Sequence, residues 1–395
     1  MTVPERKTET SAFRAPGAAD WRELVADNAD DKEQQEKART AKDELKNVLL
    51  ASLQMQHLVV LAGSGCSLSA GGPSMLHLWH DAVGETPSDM AKDTARKVNH
   101  DLTNTNIEAF LSRIEAFLQV NDDIEVAAFL NSSKKVILEK CSALLNPEKL
   151  VAHKTFLHRL SRRRVRDQRL KVFTTNYDLC FERAASALGS VALDGFSFAA
   201  PRRYDPRFFG YDIIRRPRSG EDLGNFLEGV FLLYKLHGSV NWSREKDGAI
   251  CEKPNPPPEQ ACLIYPARGK YQQSFVQPYL ESMAQYLAAV REPNTCLLVV
   301  GFGFNDDHLA EPLLAAVQSN PHLRLIIVDY NADEKARDTS STRFWKQFFE
   351  LASRGEDVWF IKSSFEGFAQ LIPDLKSLTP ADTLMKAIKG MTRES

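Results

Sequence analysis

The sequence predicts an α/β fold built on a doubly wound, mostly parallel sheet, with an N-terminal helix and a helical insertion. Three observations predict it. Short apolar runs recur along the chain, each followed by a polar or glycine-rich turn and then a helical stretch. Such runs suit strands buried on both faces, as in parallel sheets. Every polar motif of interest sits directly after one of these runs, where open α/β sheets bind their ligands. The architecture this describes is Rossmann-like.

Taken in order, residues 1–20 are polar, carry Pro4, Pro16 and Gly17, and are expected to form a flexible arm. Residues 21–56 are rich in Glu, Lys, Ala, Gln and Leu, which favours helix. The first strand is His57 to Ala62. Residues 75–165 are expected to be mainly helical. Ile107, Phe110, Leu111, Ile114, Phe117 and Leu118 recur at helical spacing and predict one amphipathic helix there. Leu170 to Thr174 is the second strand, followed by a helix through Leu188. Residues 192–229 are expected to be irregular. Val230 to Leu236 is the third strand. Residues 244–262, with Pro254, Pro256, Pro257 and Pro258, predict a surface loop. A helix over 274–291 precedes strands at Cys296 to Val300 and Leu323 to Asp329, with a helical segment between them. A last strand, Asp357 to Lys362, precedes a helix near Phe365 to Ile372. The expected division is residues 1–54 as arm and helix, 55–375 as one ligand-binding domain with its insertion at about 75–165, and 376–395 as a charged tail.

The chain has 395 residues, 43% hydrophobic and 26% charged, close to the average for soluble globular proteins. Fifty basic against 52 acidic residues leave a net charge of −2, which argues against whole-chain nucleic-acid binding. Arg162-Arg163-Arg164-Val165-Arg166, Arg202-Arg203 and Arg215-Arg216 are local basic clusters. The first reads best as a solvated helix end, and direct nucleic-acid binding is not expected. No run of about 18 apolar residues predicts a membrane span. Met1 to Ala18 lacks an apolar signal core, which predicts a cytoplasmic protein. The six cysteines, Cys66, Cys141, Cys180, Cys251, Cys262 and Cys296, form no C-x-x-C pair, so scattered reduced thiols are expected and no zinc site. His77 and His80 lack a third ligand and are read as a solvated or packed pair.

Five motifs follow the strands. Ala62-Gly63-Ser64-Gly65-Cys66-Ser67 lets backbone approach a ligand closely before a helix start that can meet a phosphate; a tight structural turn is the alternative. In Thr174-Thr175-Asn176-Tyr177-Asp178, the Asn176 amide and Asp178 carboxylate offer groups for a sugar hydroxyl or a water. Capping of the next helix competes with that reading. Lys235-Leu236-His237-Gly238-Ser239 places a histidine at a strand end, as a general base or as a hydrogen-bonded structural residue. Gly301-Phe302-Gly303-Phe304-Asn305-Asp306-Asp307-His308 again permits close approach, with Asp306 as a cap or pocket support. In Val328-Asp329-Tyr330-Asn331, Asp329 is placed to bind a ribose diol or to form a turn.

This ordered set, AGSGCS, TTNYD, KLHGS, GFGFNDD and VDYN, resembles the sirtuin family over roughly residues 55–372. It is most similar to the sirtuin-like NAD-hydrolysing branch of bacterial antiviral defence. Asn106 to Ser112 also looks like the helical insertion of that branch. The resemblance implies that NAD is bound as substrate. Gly63, Ser64, Gly65 and Ser67 would cradle its diphosphate. Asn176 would orient the attacking water or the nicotinamide ribose, and Asp178 would support the nicotinamide end. His237 would contact a ribose hydroxyl and act as base, with Ser239 beside it in the binding site. Gly301 and Gly303 would line the adenosine side, Asp306 would support the pocket, and Asp329 would lie near the adenosine ribose.

Departures from the deacetylase pattern matter too. Only Cys251 and Cys262 follow the histidine, without the spacing of a four-cysteine zinc module. Pro73 is followed by Ser74-Met75-Leu76 where those enzymes carry Asp-Phe-Arg. Both favour plain NAD hydrolysis over NAD-dependent deacylation, with a non-catalytic NAD or ADP-ribose sensor as a further alternative. The resemblance also implies a homo-oligomer paired with a HerA-type hexameric ATPase. The short stretch after Ile372 leaves regulation to such a partner or to assembly.

Overall fold

The alternation of buried strands with covering helices is borne out along the chain. The computed structural model describes residues 11–26, 31–143, 147–163, 167–214, 226–265, 276–338 and 342–374. In chain order, β1 (Ala12–Arg14) and β2 (Arg22–Glu23) precede α1 (Lys32–Leu53) and β3 (His57–Ala62). The insertion follows as α2 (Met75–Val83), α3 (Asp89–Lys97), α4 (Ile107–Leu118) and α5 (Ile124–Ser142), with α6 (Val151–Leu160) returning to the sheet. Next come β4 (Leu170–Thr174), α7 (Cys180–Leu188), β5 (Val191–Leu193) and β6 (Val230–Lys235). A small sheet is made from β7 (Gly238–Arg244), β8 (Ile250–Glu252) and β9 (Ala261–Leu263). The chain then runs through α8 (Tyr279–Ala289), β10 (Thr295–Val300), α9 (Asp307–Ser319), β11 (Leu323–Asp329), α10 (Ala332–Arg337), α11 (Arg343–Ser353), β12 (Val358–Lys362) and α12 (Phe365–Leu371).

Among the described residues the main sheet has nine strands in the order β2-β1-β12-β11-β10-β3-β4-β6-β5. From β12 through β5 every pairing is parallel, and β1 and β2 add an antiparallel edge. The strand order reverses between β3 and β10. From β3 the chain proceeds to β4 and β6 on one side, then crosses back to β10, β11 and β12 on the other. That crevice is the switch point at which open α/β sheets place ligands.

Period-two alternation builds both faces of the sheet. Val59 and Leu61 on β3, with Leu297 and Val299 on β10, pack under α8, α9 and α11 through Tyr286, Leu313 and Phe348. Leu58 and Val60, with Leu298 and Val300, pack on the opposite face under α1, α6, α7 and α12 through Leu49, Phe156, Phe181 and Phe368. Both faces are therefore covered, which is why these strands read as continuous apolar runs. The insertion helices build a separate core around Trp79, Phe110 and Phe129, into which Val240 and Leu263 of the small sheet also pack. No helix of the described residues is long and apolar enough to cross a membrane.

Three expectations are corrected. Within the supposed arm, residues 12–14 form β1; Phe13 is fully buried and its ring stacks on Trp359 of the neighbouring β12. A three-residue strand carries too little pattern to be read alone; its partner strand makes it one. Within 192–229, the segment reaches β5 and an antiparallel bridge between Phe196 and Tyr204, with Phe196 buried. The proline-rich 244–262 stretch contributes β8 and most of β9, with Ile250, Cys251 and Cys262 buried. The tail 376–395, residues 1–10, and Arg164, Arg166, Arg215 and Arg216 lie outside the described residues.

Candidate functional site

Four strand ends converge on one cavity of about 760 Å³, within the range of about 300–1,000 Å³ usual for small-molecule sites. The loops after β3, β4, β6 and β10 contribute Ser64, Ser67, Thr175 to Asp178, His237, Phe302, Gly303, Asn305 and Asp306. The insertion contributes Met75, Leu76 and Leu78 from α2, and Asn104 to Asn106, Glu108 and Ala109 around the start of α4.

The geometry at β4 is fixed by hydrogen bonds. Asn176 Nδ2 donates to Gly63 O at 2.9 Å and to Ser67 Oγ at 2.8 Å. A carbonyl oxygen can only accept, so the amide orientation follows from chemistry, and Oδ1 is left as the acceptor for a ligand. Ser67 Oγ in turn donates to Asp178 Oδ2 at 2.6 Å, and Asp178 Oδ1 accepts from the Cys180 N–H at 3.0 Å. Asp178 thus anchors the start of α7, the capping reading, and through Ser67 holds the Asn176 amide.

Asp178 is buried, and its charge is balanced from behind. Burial alone would raise its carboxyl. The nearby Lys235 ammonium, together with the hydrogen bonds from Ser67 and Cys180, outweighs that and holds it below the ordinary carboxylate value. Lys235, with a side chain only 2% exposed, donates to the Asp178 carbonyl and pairs with Glu182 Oε1 at 3.1 Å. Glu182 is pushed up by burial, opposed by that same lysine.

His237 is pinned at the end of β6. Leu236 N–H donates to Thr174 O at 2.8 Å, and Ile264 N–H donates to His237 O at 2.9 Å. The next residue has to be glycine: Gly238 has φ +84°, and a Cβ there would lie 2.0 Å from Cys262 O. His237 Nε2 lies 3.4 Å from His308 Nε2 on the first turn of α9, and both side chains are buried.

The glycines also hold the two turns together. A Cβ on Gly63 would lie 2.5 Å from Gly301 O, and one on Gly301 would lie 2.7 Å from Gly65 Cα. Gly65 N–H donates to Gly301 O at 3.0 Å. Gly63, Gly65 and Gly301 therefore dock the β3 turn backbone-to-backbone onto the β10 turn and lie outside the cavity lining, whereas Ser64, Ser67 and Gly303 face it. Ser239 is fully buried behind the wall and donates to Tyr177 O at 3.3 Å. Asp329 also lies outside the lining; it accepts from Asn331 N–H at 2.9 Å and pairs with Lys335 at 2.7 Å, the turn-forming role. Asp306 lines the cavity just before α9.

The remaining singled-out residues are accounted for in the fold. His77 completes a capping box with Ser74 at the start of α2. Arg163 is buried and donates to the carbonyls of Leu53 at 2.9 Å and Gln168 at 2.8 Å. Arg202 pairs with Asp194 and Glu252, both at 2.6 Å. All six cysteines are free and buried; burial pushes the Cys141 thiol, at the cavity wall, up to about 12. Among the described residues no group of three or more His, Cys, Asp or Glu side chains is placed to hold a metal ion.

A family comparison covers the strands that carry Asn176, Asp178, His237 and Gly301. Residues 170–350 match the SIR2-like domain family. The match spans just under half of the chain and contains the β4, β6 and β10 contributions to the cavity; the SIR2-like stretch leaves out the β3 turn and the insertion. No curated protein sequence matches this chain. Among solved structures, a Sir2 homologue in complex with NAD aligns with a TM-score of 0.42 and 14% identity over 82% of this chain and 91% of its own. A Sir2 homologue mutant in complex with ADP-ribose aligns with a TM-score of 0.42 and 15% identity over 83% and 94%.

Sequence reasoning missed His308 and Lys235 as supports behind the site, and it did not place Asn104, Thr105, Asn106 and Glu108 in the wall. His308 and Lys235 were within reach, because each lies inside a motif already singled out. The insertion residues carry no chemical signature; only tertiary packing brings them to the cavity.

Proposed function

We propose that the protein is an NAD glycohydrolase, cleaving NAD to nicotinamide and ADP-ribose. The observation that carries this reading is the Asn176 amide, locked by Gly63 and Ser67 with Oδ1 left to a ligand, in the same cavity as His237 at the sheet's switch point. The SIR2-like match over this stretch supports it. Cleavage of the nicotinamide C–N bond passes through an oxocarbenium-like state at the ribose C1′. A preorganised polar pocket stabilises such charge without covalent help. Asn176 Oδ1 accepts a hydrogen bond from the attacking water or a ribose hydroxyl. His237 takes the proton, and Asp178 keeps Ser67 and hence Asn176 in place. Ser64 and the small-residue turn after β3 meet the diphosphate, with Gly303 toward the adenosine end.

The family resemblance further supports a role in antiphage defence by NAD depletion, as a homo-oligomer joined to a HerA-type hexameric ATPase. Mass measurement in solution with and without such an ATPase tests the assembly; a monomer in both samples removes it. Incubation with NAD, with and without an acyl-lysine peptide, separates hydrolysis from the deacylase alternative. Binding of NAD without turnover, even in the assembly, would mark a sensor instead.

A further inference from the structure

We propose that His308 is a positioning residue that holds His237 and shares its proton, so that the two imidazoles work as one proton-accepting unit. The inference rests on the hydrolase reading and extends it to a residue behind the cavity wall. His237 lines the cavity, and His308 sits behind it. Their Nε2 atoms are 3.4 Å apart, and the side chains are 2% and 8% exposed. Two nitrogens at that distance need one proton between them, so the neutral pair holds one N–H donor and one acceptor. Their rings lie 5.5 Å apart, centroid to centroid, tilted by 33°.

Placement supports this. His237 is fixed by its backbone at the end of β6, and His308 by the start of α9, so the two rings come from separate elements that meet at the switch point. The other titratable groups that line the cavity with His237 are Asp178 and Tyr177 from the loop after β4, Asp306 before α9, Glu108 from α4 and Cys141 from α5. Asp307 precedes His308 on its own helix, and Lys235 lies two residues before His237. Two positive imidazoles at contact distance repel, so the pair resists a second proton more than the first.

In the hydrolytic step a water lone pair forms the bond to C1′, and the C–N bond electrons leave with neutral nicotinamide. The water proton passes to the Nδ1 lone pair of His237, whose Nε2–H is then the donor toward His308 Nε2. The resulting imidazolium charge is shared across the Nε2 pair, and the proton is then released to solvent. This balances as NAD plus water giving nicotinamide, ADP-ribose and one proton.

Histidine-resolved NMR titration of the full chain, together with pH profiles of NAD hydrolysis, tests the proposal with His308→Phe and His308→Gln. His308→Phe removes the partner nitrogen; His308→Gln keeps a hydrogen-bonding group that does not titrate. The expected result is a two-step titration of His237 in the wild type and a single step in both variants. His308→Phe should lower kcat about 10–100-fold, the loss of one charge-assisted hydrogen bond, with little change in KM. Its acid limb should move to lower pH, and His308→Gln should recover part of the rate. A His237 titration identical in all three proteins would overturn the proposal, as would coupled titration with no change in kcat. Should His308→Phe not fold, one step against two in His308→Gln decides it. Failure of every sample to consume NAD would sink the hydrolase reading, while the titrations would still decide whether the imidazoles are coupled.

Discussion

Asn176 and Asp178 are joined through a single hydroxyl: Ser67 Oγ accepts from Asn176 Nδ2 at 2.8 Å and donates to Asp178 Oδ2 at 2.6 Å. The serine expected at a diphosphate therefore donates one hydrogen bond and accepts another in fixing the Asn176 amide. Ser67→Ala should leave the fold intact and lower kcat for NAD hydrolysis about 10–100-fold, the loss of a hydrogen bond to a charged group. Steady-state kinetics checks this; a wild-type kcat would remove Ser67 from the positioning role.

Asn176→Ala and His237→Ala should each reduce NAD consumption by about 10²–10⁴-fold, the usual scale for a lost acid–base or positioning group. Circular dichroism should report an unchanged fold. Full nicotinamide release by a folded His237→Ala protein would contradict the base assignment.

Lys235 balances a buried carboxylate. Lys235→Met keeps the stem but leaves Asp178 without its compensating charge, and should cost about 3–5 kcal/mol of stability near neutral pH. Because Asp178 is held below its ordinary value in the folded chain, its contribution is present above the unfolded carboxylate pKa and lost as pH falls through the folded one. The Lys235→Met deficit should thus shrink on acidification. Denaturant melts at several pH values measure this, and a pH-independent deficit would argue against the charge account.

His153 on α6 is fully buried between the edges of Phe181 and Phe365, with neither ring nitrogen partnered among the described residues. Burial, only partly offset by Asp178, pushes it down to about 4. The unfolded chain therefore binds more protons between about pH 6.5 and 4, and folding stability falls as pH drops through that window, by on the order of 3 kcal/mol. His153→Leu should flatten that acid limb and raise the melting temperature at pH 5. An unchanged acid limb would show that another group sets it.

Gly238→Ala should destabilise the chain by several kcal/mol, since the added Cβ meets Cys262 O in a left-handed backbone conformation. Recovery of soluble, folded Gly238→Ala protein with full NAD turnover would show that the turn after His237 can shift without harm.

Much of this was legible in the sequence because burial on both faces leaves a plain signature. The runs at His57–Ala62, Leu170–Thr174 and Leu323–Asp329 are strands with the expected bounds. Asn176, Asp178 and His237 converge because strand ends at a switch point must. What was illegible depends on partners. Phe13 makes a strand only against β12, and Ile250 and Cys262 are buried because they pack, from the small sheet, with Phe196 and Trp242. Gly63 and Gly301 looked like ligand-cradling glycines. They also constrain each other, a contact 238 residues apart in sequence that no local pattern encodes. Asp329 is a strand-end acid in the expected place, and its pairing with Lys335 was not legible in the sequence.

The central claim is tested most directly by incubating the full chain with NAD, alone and with a HerA-type ATPase, and resolving the products by chromatography. The account predicts nicotinamide and ADP-ribose in equal amounts with no acyl-lysine peptide present. Nicotinamide release that requires an acyl-lysine peptide, or none in either sample, would contradict it.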